Sequence, residues 1–216
     1  KMRLEDSIRV GLGLGRTISH LPQVFQVSDK ISCTFTEIVG AASDYSQGFT
    51  NLNITSQMAE IAGGEAEFFY APTVVSSPAL KQKLIAEPSV KKALERARNC
   101  DIILQSVGPV DNSALLYLHG YLNDDDLQSL RDMGAVGDAL GHYFDASGKP
   151  VRTLTDELMI GLELEDLRTV PWSVLIAGGD DKQVAIQAAL RGDYFNVLIT
   201  DEMTAQTLTL EAKNAE

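Results

Sequence analysis

The chain is poor in positive charge. Its 18 lysines and arginines stand against 30 aspartates and glutamates, a formal net charge of −12. A domain that holds DNA needs a basic face to neutralise phosphates. Here the densest charge run is acidic, Asp124-Asp125-Asp126, so the chain alone is expected to bind DNA poorly. Cysteine is scarce as well: Cys33 and Cys100 lie far apart and match no metal-ligand spacing. Both are expected to be buried thiols in a reducing cytoplasm. No apolar run is long enough to span a bilayer, and Lys1-Met2-Arg3-Leu4-Glu5-Asp6 leads into no signal-like apolar core. The three histidines, His20, His119 and His142, share no motif. HExxH, GxSxG, GxGxxG and GxxxxGK[ST] are all missing, so zincin, nucleophile-elbow and nucleotide-loop chemistry are not supported. No cofactor and no metal are expected. Lys precedes Met at the start, so an artificial boundary or a fragment of a longer chain is expected.

What is present is an alternation of strand and helix signals over nearly all 216 residues, with 44% hydrophobic and 22% charged content. That fits one domain of a water-soluble α/β protein, doubly wound around a mostly parallel sheet. The organising stretch is Ser173-Val174-Leu175-Ile176-Ala177, then Gly178-Gly179-Asp180-Asp181-Lys182, then an apolar-periodic run from Gln183 to Leu190. It reads as buried strand, tight turn and helix, with Asp180 or Asp181 as a possible cap. Lys182 opposes the helix dipole, and a nearby anion would relieve it; from the turn alone a solvated surface lysine is the simpler reading. Phe195–Thr200 reads as the next strand and Asp201 as the cap of the final helix, completing a βαβ unit.

The same order recurs at the start. A strand over Ser7–Val10 meets Gly11-Leu12-Gly13-Leu14-Gly15-Arg16-Thr17, then a helix running to about Val27. A ligand-free glycine turn and an anion cradle are both open readings. Arg16 and Thr17 favour the anion, because Arg grips phosphate in two places and Thr donates a hydroxyl. Further strands are read over Phe35–Ala41, Phe68–Tyr70 and Asp101–Gly108, with helices opened by Asn51 and Asn53, by Ser77-Pro78 and by Pro88. Lys91, Lys92, Arg96 and Arg98 read as a solvated face. Asn112–His119 falls beyond a strand end, where open α/β sheets bind ligands. Val136–Asp145 reads as one strand ending at the turn Ala146–Pro150, and Asp138, among small residues, either points into a cavity or serves as a turn residue. Glu163 and Glu165 read as exposed.

Val10-Gly11-Leu12-Gly13-Leu14-Gly15-Arg16-Thr17, Gly137-Asp138-Ala139-Leu140-Gly141-His142-Tyr143-Phe144-Asp145, Ile176–Lys182 and Val197–Glu202 appear in one order. As a set they resemble the C-terminal effector-binding domain of the SorC family of bacterial sugar-operon regulators, with a leaning toward sorbose-operon members. The resemblance implies the fold of sugar-phosphate isomerases and deaminases, turned into a sensor for phosphorylated sugars rather than an enzyme. It implies a cytoplasmic protein with an upstream helix-turn-helix module that contacts operator DNA, and self-association into dimers or tetramers. It places the phosphate loop on Gly13, Gly15, Arg16 and Thr17 and the acid for sugar hydroxyls on Asp138. The ligand lysine falls on Lys182, beside Gly178 and Gly179, and a polar segment falls near Thr50, Asn51 and Asn53. Some members carry basic residues near His119 for a second phosphate; Leu118-His119-Gly120-Tyr121 lacks an arginine, which favours a monophosphate. The competing reading is a sugar-phosphate isomerase or deaminase with Asp138 and Lys182 in proton transfer. A reversible Schiff base of Lys182 with an open-chain aldehyde is a further one.

Overall fold

Short runs, most of them rich in β-branched and apolar residues, form the strands of a computed structural model that describes residues 8–41 and 51–214. In chain order they are β1 (Arg9–Leu12), β2 (Thr34–Glu37), β3 (Glu65–Glu67), β4 (Ile102–Gln105), β5 (Ala135–Ala139), β6 (His142–Asp145), β7 (Pro150–Val151), β8 (Trp172–Ile176) and β9 (Val197–Ile199). Six of them make a central sheet in the order β3-β2-β1-β4-β8-β9, and every pairing in it is parallel. Parallel neighbours need long crossovers, and helices supply them. These helices are α1 (Arg16–Ser19), α2 (Leu21–Val24), α3 (Asn51–Ala62), α4 (Pro78–Ala86), α5 (Pro88–Arg98), α6 (Leu115–Leu118), α7 (Asp124–Asp132), α8 (Leu154–Leu158), α9 (Leu164–Leu167), α10 (Gln183–Arg191) and α11 (Glu202–Asn214).

Strand alternation splits the core between the two faces. Ile54, Met58 and Ala62 of α3 pack with Val10, Leu12, Phe35 and Val174 on one face. Ala97 of α5 and Ala185, Ile186 and Ala189 of α10 pack with Ile103 and Leu175 on the other. Full burial of the larger of these side chains, such as Met58, Phe35 or Ile186, stabilises by about 1.5–3 kcal/mol each. Ile103 is completely buried at the centre of the sheet, so Ile103→Ala is expected to cost about 2–5 kcal/mol. Chain progression reverses direction between β1 and β4. The connections leaving these neighbours diverge to opposite faces and open a crevice at the carboxyl ends of the strands.

β5, β6 and β7 form a separate antiparallel sheet. Tyr143 and Val151 of this sheet cluster with Leu127 and Leu130 of α7. One bridge ties it to the central sheet: Gly108, just past β4, and Asp138 of β5 exchange two backbone hydrogen bonds of 3.0 Å.

Several sequence expectations are met. Ser77 caps α4 by accepting from the Leu80 N–H, and Pro78 opens the helix. Asp201 accepts from the Thr204 N–H at 2.8 Å and opens α11. Others need correction. Val136–Asp145 is not one strand but a hairpin, turned at Leu140 and Gly141 with φ of 58° and 78°; left-handed backbone at both turn positions matches the twist of the flanking strands. The third strand is Glu65–Glu67, not Phe68–Tyr70. The Phe69 N–H leaves the ladder and is donated to the Glu37 carboxylate at 2.7 Å. The first helix does not run to Val27 but breaks at His20 into α1 and α2, with Pro22 in the first turn of the second piece, where a missing N–H costs nothing. Neither Asp180 nor Asp181 caps the helix after β8. Arg96 is not on a solvated face, being half-buried against Glu67. The polar loop Ser43–Gly48 and Thr50 lie outside the described residues, as does Ser7.

Candidate functional site

The crevice is walled by four strand-end segments. From β1 the chain passes Gly13, whose N–H is donated to the Leu104 carbonyl at 3.0 Å and extends the β1–β4 ladder past the strand. The Gln105 side chain lies where a Cβ at this position would sit, so close approach, not turn geometry, requires glycine here. Gly15 and Arg16 then reach the cavity. From β4 come Gln105, Ser106 and Val107, from β5 comes Asp138, and from the 3₁₀ turn after β8 comes Lys182. That turn is anchored from the far side. The Gly179 N–H is donated to the Asp201 carboxylate and the Thr204 hydroxyl, each at 3.1 Å. A side chain at Gly178 would collide with the same carboxylate. The two glycines therefore shape the turn that presents Lys182, and they are not themselves part of the cavity wall.

Charge in this cavity is under stress. Burial pulls the Lys182 ammonium below its usual range, Asp181 and Asp138 oppose that pull, and the Arg16 guanidinium adds to it. Among the described residues, neither the Arg16 nor the Lys182 side chain makes a direct hydrogen bond or ion pair. Burial pushes the Asp138 carboxyl up to about 6, against the Gly141 N–H, His142 and Lys182, which favour the ionised form. The Gly141 N–H is donated to Asp138 at 3.1 Å. Two cations and one acid thus meet around a hollow that opens at the switch point of the sheet, an arrangement that can take an anion and accept from hydroxyls.

The structure brings Gly15, Arg16, Asp138 and Lys182 into one wall. Gly13 lies behind it. Thr17 sits half-buried in the first turn of α1, and its hydroxyl accepts from Ser106 at 3.4 Å. Asn51 and Asn53 open α3; Asn53 is exposed and is not among the residues lining this cavity. Thr73, Leu116 and Met159 line it too and carry no sequence signal. Gln105 and Ser106 do carry one: polar side chains that end a buried parallel strand at a predicted crevice. Among the described residues no group of three or more acidic, histidine or cysteine side chains could hold a metal ion, and no helix is long and apolar enough to cross a membrane.

Residues 1–209 match the family model described as "Putative sugar-binding domain". The chain is 30% identical over 205 residues to the deoxyribonucleoside regulator of Bacillus subtilis, covering 95% of this chain and 65% of that one. It superposes on the sugar-binding domain of a transcriptional repressor from Vibrio fischeri with a TM-score of 0.88 and 26% identity, over 97% of this chain and 82% of the other. The full-length sorbitol operon regulator SorC of Klebsiella pneumoniae shares the fold, with a TM-score of 0.86 and 23% identity over 95% of this chain and 67% of that one. The chain spans 62% and 65% of two curated relatives, just under two thirds of their length. Matched over nearly its whole length, the chain belongs to the sugar-binding domain family of SorC- and DeoR-type transcriptional regulators.

Proposed function

We propose that this domain is the effector sensor of a sugar-operon transcription regulator and that its effector is a phosphorylated sugar with one phosphate. The observation that carries the reading is the pair of cations, Arg16 and Lys182, lining one cavity at the carboxyl edge of a parallel sheet. Burial and mutual repulsion keep Lys182 hungry for an anion. A phosphate seated between the Gly13–Thr17 loop and Lys182 supplies that charge, and Asp138 accepts from the sugar hydroxyls. Asn51 and Asn53 belong to the proposed contact set through the family pattern.

Operator DNA is contacted by a module outside this chain, in keeping with the −12 charge; the regulator works in the cytoplasm and self-associates through this domain as a dimer or tetramer. The relatives' names as regulators favour a sensor over an enzyme. One observation favours the isomerase or deaminase reading: a carboxyl pushed up to about 6 is in the range of a general base.

Calorimetric titration with sugar monophosphates and their unphosphorylated parents tests the sensor reading. Binding of the phosphates alone, weakened by the double variant Arg16→Ala with Thr17→Val, is expected. Equal affinity for the parents would overturn it. Product analysis of the same mixtures separates sensor from enzyme, since a sensor returns its ligand unchanged.

A further inference from the structure

A buried His–Asp pair stands next to the cavity. His142 opens β6, directly after the Leu140–Gly141 turn, and is 4% exposed. Its ring Nδ1 lies 2.6 Å from the Asp156 carboxylate. Burial pushes the Asp156 carboxyl up, but hydrogen bonds from His142 and Thr153 outweigh it and hold the group below the usual carboxylate range. An ionised carboxylate only accepts, so Nδ1 carries the hydrogen and is the donor. The other carboxylate oxygen accepts from the Thr153 N–H at 2.6 Å and fixes Asp156 in the first turn of α8. Asp156 cannot swing away without uncapping that helix. Lys81 of α4 donates to the Asp156 carbonyl at 2.8 Å and holds α8 as well.

The pair joins two separate segments of the cavity wall. One is the turn: Leu140 and Gly141 line the cavity, and the Gly141 N–H is donated to Asp138 at 3.1 Å. The other is Met159, which follows α8, lines the cavity, and packs so closely on Gly141 that a Cβ there would meet its Cε at 2.7 Å. Asp138 also faces Lys182 from the turn after β8, with the Arg16 guanidinium of α1 acting on that lysine. Its charge acts on the Tyr143 hydroxyl, which is buried without a partner, as do those of Asp156 and of Asp126 on α7. His119 lines the cavity from the segment after α6. Of these groups, His142 is the one that adjoins Gly141 in the chain.

We infer that His142 is a positioning residue for Asp138: clamped to Asp156, it holds the Leu140–Gly141 turn so that the Gly141 N–H stays on the Asp138 carboxylate and keeps that carboxylate in the cavity wall. The consequence for effector binding rests on the proposed sugar-phosphate reading; the clamp itself does not.

Nitrogen–proton correlation spectra of the ligand-free protein, recorded from about pH 4 to pH 8, test the clamp. An amide that donates to a carboxylate senses its protonation. In the wild type the Gly141 amide is expected to shift with the Asp138 midpoint of about 6, and Asp138→Asn is expected to abolish that shift. His142→Ala and Asp156→Asn are expected to shrink it and to move its midpoint up, because the Gly141 N–H and His142 both favour the ionised acid. Asp156→Asn keeps an oxygen for the Thr153 N–H, so it loosens the clamp with the α8 cap in place. His142→Asn puts an amide N–H where Nδ1 stands and is expected to restore the size of the shift. The inference is overturned by a Gly141 amide that does not titrate in the wild type, or that both clamp variants leave unchanged. It is overturned too if His142→Asn restores nothing. Calorimetric titration with glucose 6-phosphate, fructose 6-phosphate and ribose 5-phosphate reads the consequence. His142→Ala is expected to weaken binding about tenfold in the wild-type background and not at all in Asp138→Asn. Equal losses in both backgrounds would show that His142 does not act through Asp138. No binding of any of the three counts against the sugar-phosphate reading, and the amide titration still decides the clamp.

Discussion

Two charged regions of the central sheet behave in opposite ways. Beside β3 and β1, Glu67 at the end of β3 lies 3.3 Å from both the Arg9 and Arg96 guanidinium groups, and the Asp101 carboxylate accepts from the Arg9 N–H at 2.8 Å. Both guanidinium groups there lie within ion-pair distance of one carboxylate, and the network ties β1, β3 and α5 together and reaches Asp101 just before β4. At the carboxyl edge, Arg16 and Lys182 face a common hollow, Asp138 is pushed up to about 6, and Glu37 at the end of β2 is pushed up to about 7. Burial is the first cause of all three shifts, those of Lys182, Asp138 and Glu37. Paired charge holds strands together. Charge buried beside a cavity without a full set of partners is less stable in the empty protein, and that deficit is available for a ligand to relieve.

Removing both cations breaks the carboxyl edge most directly. Arg16→Ala combined with Lys182→Met is expected to weaken sugar-phosphate binding by about a hundredfold or more, since each charge-assisted contact contributes about 1.5–3 kcal/mol. Calorimetry reads the affinity, and circular dichroism reads an unchanged fold. Lys182→Met or Asp138→Asn alone is expected to cost about tenfold to a hundredfold. Near wild-type affinity in both single variants would show that the pair serves the fold.

Glu37 tests whether the carboxyl edge is under strain without ligand. Its Oε2 accepts from the Phe69 N–H, while Oε1 is buried without a partner. The folded protein holds this proton more tightly than an ordinary glutamate does, near 7 instead of 4.5. The stability it contributes is therefore intact below about pH 4.5 and is lost as pH rises through about 7. Glu37→Gln should remove a pH-dependent loss on the order of 3 kcal/mol, seen as a flatter curve of melting temperature against pH.

Asp138 sharpens the comparison at the ligand itself. As pH falls through about 6 its carboxyl gains a proton and stops being a pure acceptor. Affinity should drop from pH 7 to pH 5 more steeply in the wild type than in Asp138→Asn, whose remaining slope reports the phosphate's own titration. The smallest effect belongs to the Glu67 network. Glu67→Gln is expected to lower stability by about 1 kcal/mol, because half-exposed pairs contribute little, and to leave sugar-phosphate affinity unchanged. A loss of affinity there would mean that the two regions are coupled.

Legibility in the sequence differed between the elements. Apolar runs against glycine turns marked β1, β4 and β8, because a strand buried on both faces must be apolar throughout, and an apolar run followed by Asp201 marked β9. Caps at Ser77 and Asp201 were legible because a helix end needs a local acceptor. Arg16, Asp138 and Lys182 stood out as charges beside glycines. The β5–β6 hairpin was missed because Leu140, a branched apolar residue, occupies a left-handed turn position that composition assigns to Asn, Asp or Gly. The shift of β3 was missed because Glu65–Glu67 is a polar edge strand, while the apolar run beside it was spent on burying Phe69.

The sequence by itself determined the alternating α/β order, the acidic character and the glycine-flanked charges, since these follow from local periodicity and residue chemistry. Only the tertiary structure decided that Arg16, Asp138 and Lys182 line one cavity and that Met159, Leu116 and Gly141 line it with them. Those residues come from five segments spread over more than half the chain. Their meeting is set by strand order and by the Gly108–Asp138 bridge, long-range pairings that leave no mark in local sequence.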